Sequence, residues 1–200
     1  MMASTIRYCR SDEHRGACAS RLVAIVVALA LLALPLFSRA DTLVARGASL
    51  AASEEGWLLT ADFDITLPPA VEEALSKGVS LFFVLELEVT RSRWYWFDQR
   101  AGAGSQTYRL VYNTLTRQYR LSAGPLFQNF TSLDEALGVL GRVRRRVMLP
   151  SGALARGATY QAAVRMRLDI SQLPRPFQAS PFVSREWAVG SDWYRFSVTP

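Results

Sequence analysis

The chain has 200 residues, half of them hydrophobic, with 23 basic and 17 acidic side chains, two cysteines and a single histidine. Its formal charge of +6 is concentrated at the start: without residues 1–40 the remainder carries +3 and has lost Cys9, Cys18 and His14. That remainder excludes a disulfide, a Ser-His-Asp triad, a thiol nucleophile and an ordinary zinc or haem site, since each needs imidazole or thiol.

Residues 1–21 carry Arg7, Arg10, Arg15 and Arg21 against Asp12 and Glu13, and an unbroken apolar run then extends from Leu22 to Leu34. Pro35 ends the run, and Ser38-Arg39-Ala40 offers small residues at the positions that a signal peptidase reads. A basic start, an apolar middle and a small-x-small end predict a secretory signal peptide over residues 1–40. Even counted to Phe37 the run is shorter than the ~20 residues of a comfortable membrane helix. The alternative is an uncleaved inner-membrane anchor over residues 22–37, and with it the only expected membrane contact. Either way the expected location is periplasmic. No arginine pair precedes the apolar run and no cysteine follows it, so neither a twin-arginine route nor a lipid-bearing cysteine is indicated.

Residues 41–200 are long enough for one self-supporting domain. They contain no repeat at solenoid or propeller spacing and no low-complexity tract. Their dominant pattern is period-two alternation, the mark of strands with one wet face. After a terminal strand at Leu43–Ala52, residues Trp57, Leu59, Ala61, Phe63, Ile65 and Leu67 alternate with Leu58, Thr60, Asp62, Asp64 and Thr66. Pro68 to Gly78 predicts a short helix, with proline at its start, acids in its first turn and glycine at its end. Leu81, Phe83, Leu85, Leu87 and Val89 then alternate with Glu86, Glu88 and Thr90.

Thr107–Tyr112 and Gln118–Ser122 read as a hairpin. Ser132 and Glu135 have capping-box spacing and predict a second helix running to about Val143, with arginines after it to suit the negative end of its dipole. Arg144–Leu149 is a further candidate strand. Tyr160, Ala162, Val164, Met166, Leu168 and Ile170 alternate with Gln161, Arg165, Arg167 and Asp169, and Trp193–Thr199 closes the set. Strands wet on one face argue for antiparallel pairing. The expected fold is mainly β: a single antiparallel β-sandwich-like domain with two short helices.

These segments carry a resemblance. Phe63-Asp-Ile-x-Leu-Pro-x-Ala-Val-Glu-Glu-Ala-Leu-x-Lys-Gly78 is followed by Arg91-x-Arg-Trp-Tyr-Trp-Phe-Asp98, Tyr108-Arg-Leu-x-Tyr112 and Leu115-Thr-Arg-x-Tyr-Arg120. Leu168-Asp-x-Ser-Gln-Leu-Pro-x-Pro176 and Ser191-Asp-Trp193 complete the series. In this order the blocks resemble the proteobacterial family catalogued as domain of unknown function 4390, over about residues 50–196. The resemblance implies an exported protein, sometimes labelled a proline-rich signal-peptide protein, whose gene often neighbours a membrane sensor kinase of the nitrogen-regulation type. It assigns no catalytic residue.

Arg91, Arg93, Trp94, Tyr95, Trp96, Phe97 and Asp98 form the candidate interaction surface. On a strand, Trp94 and Trp96 share one face while Tyr95 and Phe97 share the other. One face enters the core; the other needs a loop, a partner or a ligand over it, and Trp, Tyr and Arg are the usual anchors of interfaces. The structural alternative is a strand buried on both faces with its arginines snorkelling at the edge.

Asp62/Asp64 and Glu86/Glu88 admit a carbohydrate-active or carbohydrate-binding reading, because glycoside hydrolysis uses two carboxyl groups ~5–9.5 Å apart. Strand alternation alone puts acids on a wet face, however, and Arg165 and Arg167 have the phase to pair with one of these sets. Arg142, Arg144, Arg145 and Arg146 are the densest charge cluster, read as a helix end entering a solvated strand, with lipid headgroups or an acidic partner surface as the functional alternatives. Export removes nucleic acid as a partner, and no base-reading motif accompanies the cluster. Leu173-Pro174-Arg175-Pro176-Phe177 reads as a stiff sheet-edge connection rather than a polyproline ligand. Gly102 and Gly104 in Ala101–Ser105 lack the lysine and helix of a phosphate loop. No cofactor or metal is expected. The expected role is therefore a non-enzymatic periplasmic interaction or sensing-accessory domain, with a membrane sensor kinase or another envelope protein as partner.

Overall fold

The computed structural model describes residues 42–91, 99–173 and 187–199, all within the unit Asp41–Pro200. The leader over residues 1–40, Arg93 to Asp98 of the aromatic block, and Pro174-Arg175-Pro176-Phe177 lie outside the described residues.

Two antiparallel sheets form the domain. The smaller has the order β1-β2-β7, built from β1 (Leu43–Ser53), β2 (Gly56–Ile65) and β7 (Arg142–Leu149). The larger has the order β6-β5-β4-β3-β8-β9, from β3 (Leu81–Arg91), β4 (Gln99–Asn113), β5 (Gln118–Ala123), β6 (Leu126–Phe130), β8 (Tyr160–Leu168) and β9 (Tyr194–Val198). β1 meets β8 and β9 while β7 meets β4, so the sheets share one core. The expected fold class holds.

The alternation sets which face is buried. Leu81, Phe83, Leu85, Leu87 and Val89 are fully buried along β3, the centre of the larger sheet. Ala162, Val164 and Met166 line the same face from β8, and Trp57, Leu59, Ala61 and Phe63 do so from β2. At ~25 cal/mol per Å² of apolar area removed from water, this shared face is the main source of stability. Leu58 and Val84 are also buried, although they stand on the outward phase.

The helices are shorter than the sequence predicts. α1 (Pro69–Ser76) begins on proline and gives way to Gly78 at φ 86°, a left-handed position that glycine takes without strain. α2 (Leu133–Leu140) is capped by Ser132, whose hydroxyl accepts from the Glu135 amide as expected. It ends at Gly141 instead of Val143. A Cβ at Gly141 would collide with the Phe63 carbonyl oxygen of β2, and the Phe63 amide donates to the Gly141 carbonyl at 2.9 Å. The chain is thereby taken into the small sheet. The arginine cluster consequently belongs to strand β7, and no basic residue occupies the last turn of α2.

Two strand features escape the alternation pattern. β4 starts at Gln99 and runs through Ala101–Ser105, well ahead of the expected Thr107. Its glycines are thin spots where β7 crosses: a Cβ at Gly104 would collide with the Met148 carbonyl oxygen, and one at Gly102 would lie 3.1 Å from the Leu149 side chain. β6 is a five-residue edge strand whose first four residues are exposed, so no inward stripe announces it.

Candidate functional site

Arg91, the one described member of the aromatic block, is exposed at the end of β3 and pairs in register with exposed Gln99 of β4. Arg91 and Gln99, on either side of residues 92–98 in sequence, are thereby paired at the end of the β3–β4 ladder.

The four strand carboxylates are tied up in ion pairs. Asp62 accepts from Arg144 at 2.6 Å, Asp64 from Arg46 at 2.6 Å, and Glu88 from Arg100 at 3.0 Å. Glu86 accepts from both Arg165, at 2.5 Å, and Arg167, at 2.9 Å, which is the cross-strand pairing that the phase of β8 predicts. Arg165 also lies over the Trp193 ring, 4.4 Å from its centroid. The Arg144 hydrogen bond holds the Asp62 carboxyl below its ordinary range. At Glu86, burial pushes the carboxyl up, but the hydrogen bonds from Arg167 and Arg165 outweigh it and the net shift is downward. Asp62 and Glu86, held ionised in this way, are poor proton donors at neutral pH, whereas glycoside hydrolysis needs one.

The arginine cluster contains a feature the sequence pattern does not display. β7 pairs with β2 as Val143 with Ala61 and Arg146 with Leu59, so Arg144 and Arg145 together oppose Thr60. This is a β-bulge, and Arg145 takes φ 46° to make it, a left-handed conformation costly to any residue with a Cβ. The extra residue reverses the phase at Arg146 and Val147, until a second register shift between Leu58 and Trp57 returns Leu149 to the inward phase. Val143 points inward and Arg144 outward, and strict alternation would send Arg146 outward too. The bulge instead sets Arg146 opposite inward-facing Leu59, half-buried between the sheets. There Nε and Nη2 of Arg146 donate to the Gln106 side-chain carbonyl at 3.1 and 2.6 Å. Gln106 is oriented by its own amide, which donates to the Thr107 carbonyl at 2.9 Å. Tyr108, next on the inner face of β4, has its phenol pushed up by burial and partly offset by the Arg146 charge.

Arg146 lines a cleft of about 250 Å³ between β5, β6, α2 and β7. Leu121, Leu140 and Val143 give it an apolar floor. Leu126, Phe127 and Val139 stand exposed around it, 69%, 62% and 40% accessible, and Arg120 lies 4.8 Å over the Phe127 ring. Among the described residues no carboxylate pairs with Arg146, whose acceptor is a neutral amide. The arginine cluster is visible in the sequence but this cleft is not, because both the bulge and the edge strand escape period-two alternation.

Against known families, the model described as domain of unknown function (DUF4390) matches residues 40–197. The chain belongs to the DUF4390 family. The match spans both sheets except Val198, the last residue of β9, and blocks that carry the resemblance fall on β2 with α1, on the β4–β5 hairpin and on the end of β8. No curated protein and no solved structure matches this DUF4390 chain.

Proposed function

We propose that this DUF4390 protein is an exported, non-enzymatic interaction domain of the cell envelope, acting as a sensing accessory through the Arg91–Asp98 block. The basic-apolar-small order of residues 1–40 supports export, with the domain released to the periplasm or held at the inner membrane by residues 22–37. One observation carries the interaction reading: Arg91 and Gln99, which flank the Arg/Trp/Tyr-rich segment in sequence, are paired in register and exposed. Tryptophan, tyrosine and arginine, concentrated in sequence between these two residues, are the composition of interface hot spots. The partner in this reading is the outer portion of a membrane sensor kinase. A non-enzymatic role is supported by the ion pairing of the acids on which a carbohydrate-active reading depends.

Affinity capture from the periplasm, with the wild type compared to Trp94→Ala and Trp96→Ala, tests the reading. Loss of a kinase-type membrane partner with unchanged thermal stability is the expected result. Folded variants that retain the same partners would overturn it.

A further inference from the structure

We infer that the cleft beside Arg146 is a binding site for a small amphipathic anion, an acid head group on a short apolar body. Three independent features converge there. The first is the bulge. Arg145 holds a left-handed conformation that glycine would take without strain, and the bulge it makes turns Arg146 from solvent toward the cleft. The second is charge. A half-buried guanidinium satisfied by one neutral amide keeps several donors and its full charge for an incoming anion, and a bidentate acid group is what such a fork matches best. Of the other two arginines that line the cleft, Arg144 is already engaged by Asp62, while Arg142 adds its positive charge beside that of Arg146.

The third feature is the apolar lining. Of the five large hydrophobic side chains exposed among the described residues, three (Leu126, Phe127 and Val139) rim this one cleft, over a buried floor. Apolar walls with a few convergent polar groups are the usual form of a small-molecule site. The volume limits the ligand's size: 250 Å³ holds about eight waters at their liquid volume, hence an anion on the order of ten non-hydrogen atoms. A medium-chain monocarboxylate fits both the volume and the charge. Neither Arg91 nor Gln99, the described residues on either side of residues 92–98, lines this cleft, and the binding test does not involve the aromatic block's partner.

The test is isothermal titration of the full chain, expressed from its own first codon and purified without detergent, with octanoate and with octanamide. The two probes share a shape and differ in charge. Octanoate is expected to bind one to one and about tenfold more tightly than octanamide, as a charge-assisted hydrogen bond implies. Arg146→Gln is expected to erase that preference and Arg146→Lys to retain part of it, while Phe127→Ala weakens both probes alike. Phe127 is exposed, so its truncation leaves the fold intact and keeps the test valid even where Arg146→Gln unfolds the chain. Equal affinity for the two probes, no binding of octanoate, or binding only of anionic vesicles or acidic peptides would overturn the inference.

Discussion

At the scale of single residues, the balance between arginine and carboxylate explains most of the polar surface. Glu86 sits between two arginines of the neighbouring strand, with its side chain 21% exposed, the most sheltered acid among the described ion pairs. Removing its charge leaves Arg165 and Arg167 side by side without a counter-ion, so Glu86→Gln is expected to destabilise the domain by about 1 kcal/mol. The sign of the pH dependence comes from the downward shifts at Glu86 and Asp62. A folded-state pKa below the unfolded one contributes stability that is complete above the ordinary value, 4.5 for Glu86, and is lost as pH falls through the depressed folded value. Chemical denaturation from neutral pH down into the acid range should therefore show stability falling below pH 4.5, with a shallower fall in Glu86→Gln. An identical slope in the variant would mean the pair contributes nothing. The Glu86 pairing was legible in the sequence because β3 and β8 keep strict alternation across their whole ladder. The inward turn of Arg146 was not, because one inserted residue reverses phase without leaving any mark in composition.

At the scale of elements, strands with an unbroken apolar stripe were readable and the crossings between sheets were not. β2, β3 and β8 present five or so inward residues each, enough to fix their register and face. Ala101–Ser105 has no such stripe, since its inward positions are glycines that let β7 approach. Gly104 and Gly102 separate the two ways of filling that gap. A methyl at 104 meets the backbone carbonyl of Met148, which cannot yield without moving β7; a methyl at 102 meets the flexible end of Leu149. Gly104→Ala is expected to cost about 2–3 kcal/mol in urea unfolding and Gly102→Ala clearly less. Equal costs would show that β7 and β4 are not in close contact at Met148. The end of α2 has the same physical origin. Gly141 abuts the Phe63 carbonyl, a tertiary contact that outweighs the local tendency to continue toward Val143.

At the scale of the whole molecule, the fold positions two features at different places. The larger sheet pairs Arg91 with Gln99 at one end of the β3–β4 ladder, and its β5–β6 extension forms the cleft together with α2 and β7. Membership of the DUF4390 family covers the sheets that build both. The proposal of an exported interaction domain depends on the domain working outside the cytosol, where no imidazole or thiol from the leader contributes to it. The most direct measurement is cell fractionation combined with mass analysis of the chain's N-terminus. The account predicts a domain that is released by osmotic shock and begins at Asp41, or one that is retained at the inner membrane and cleaved by protease added outside spheroplasts. A cytosolic, protease-protected form that keeps His14 and Cys18 and needs either for activity would contradict it.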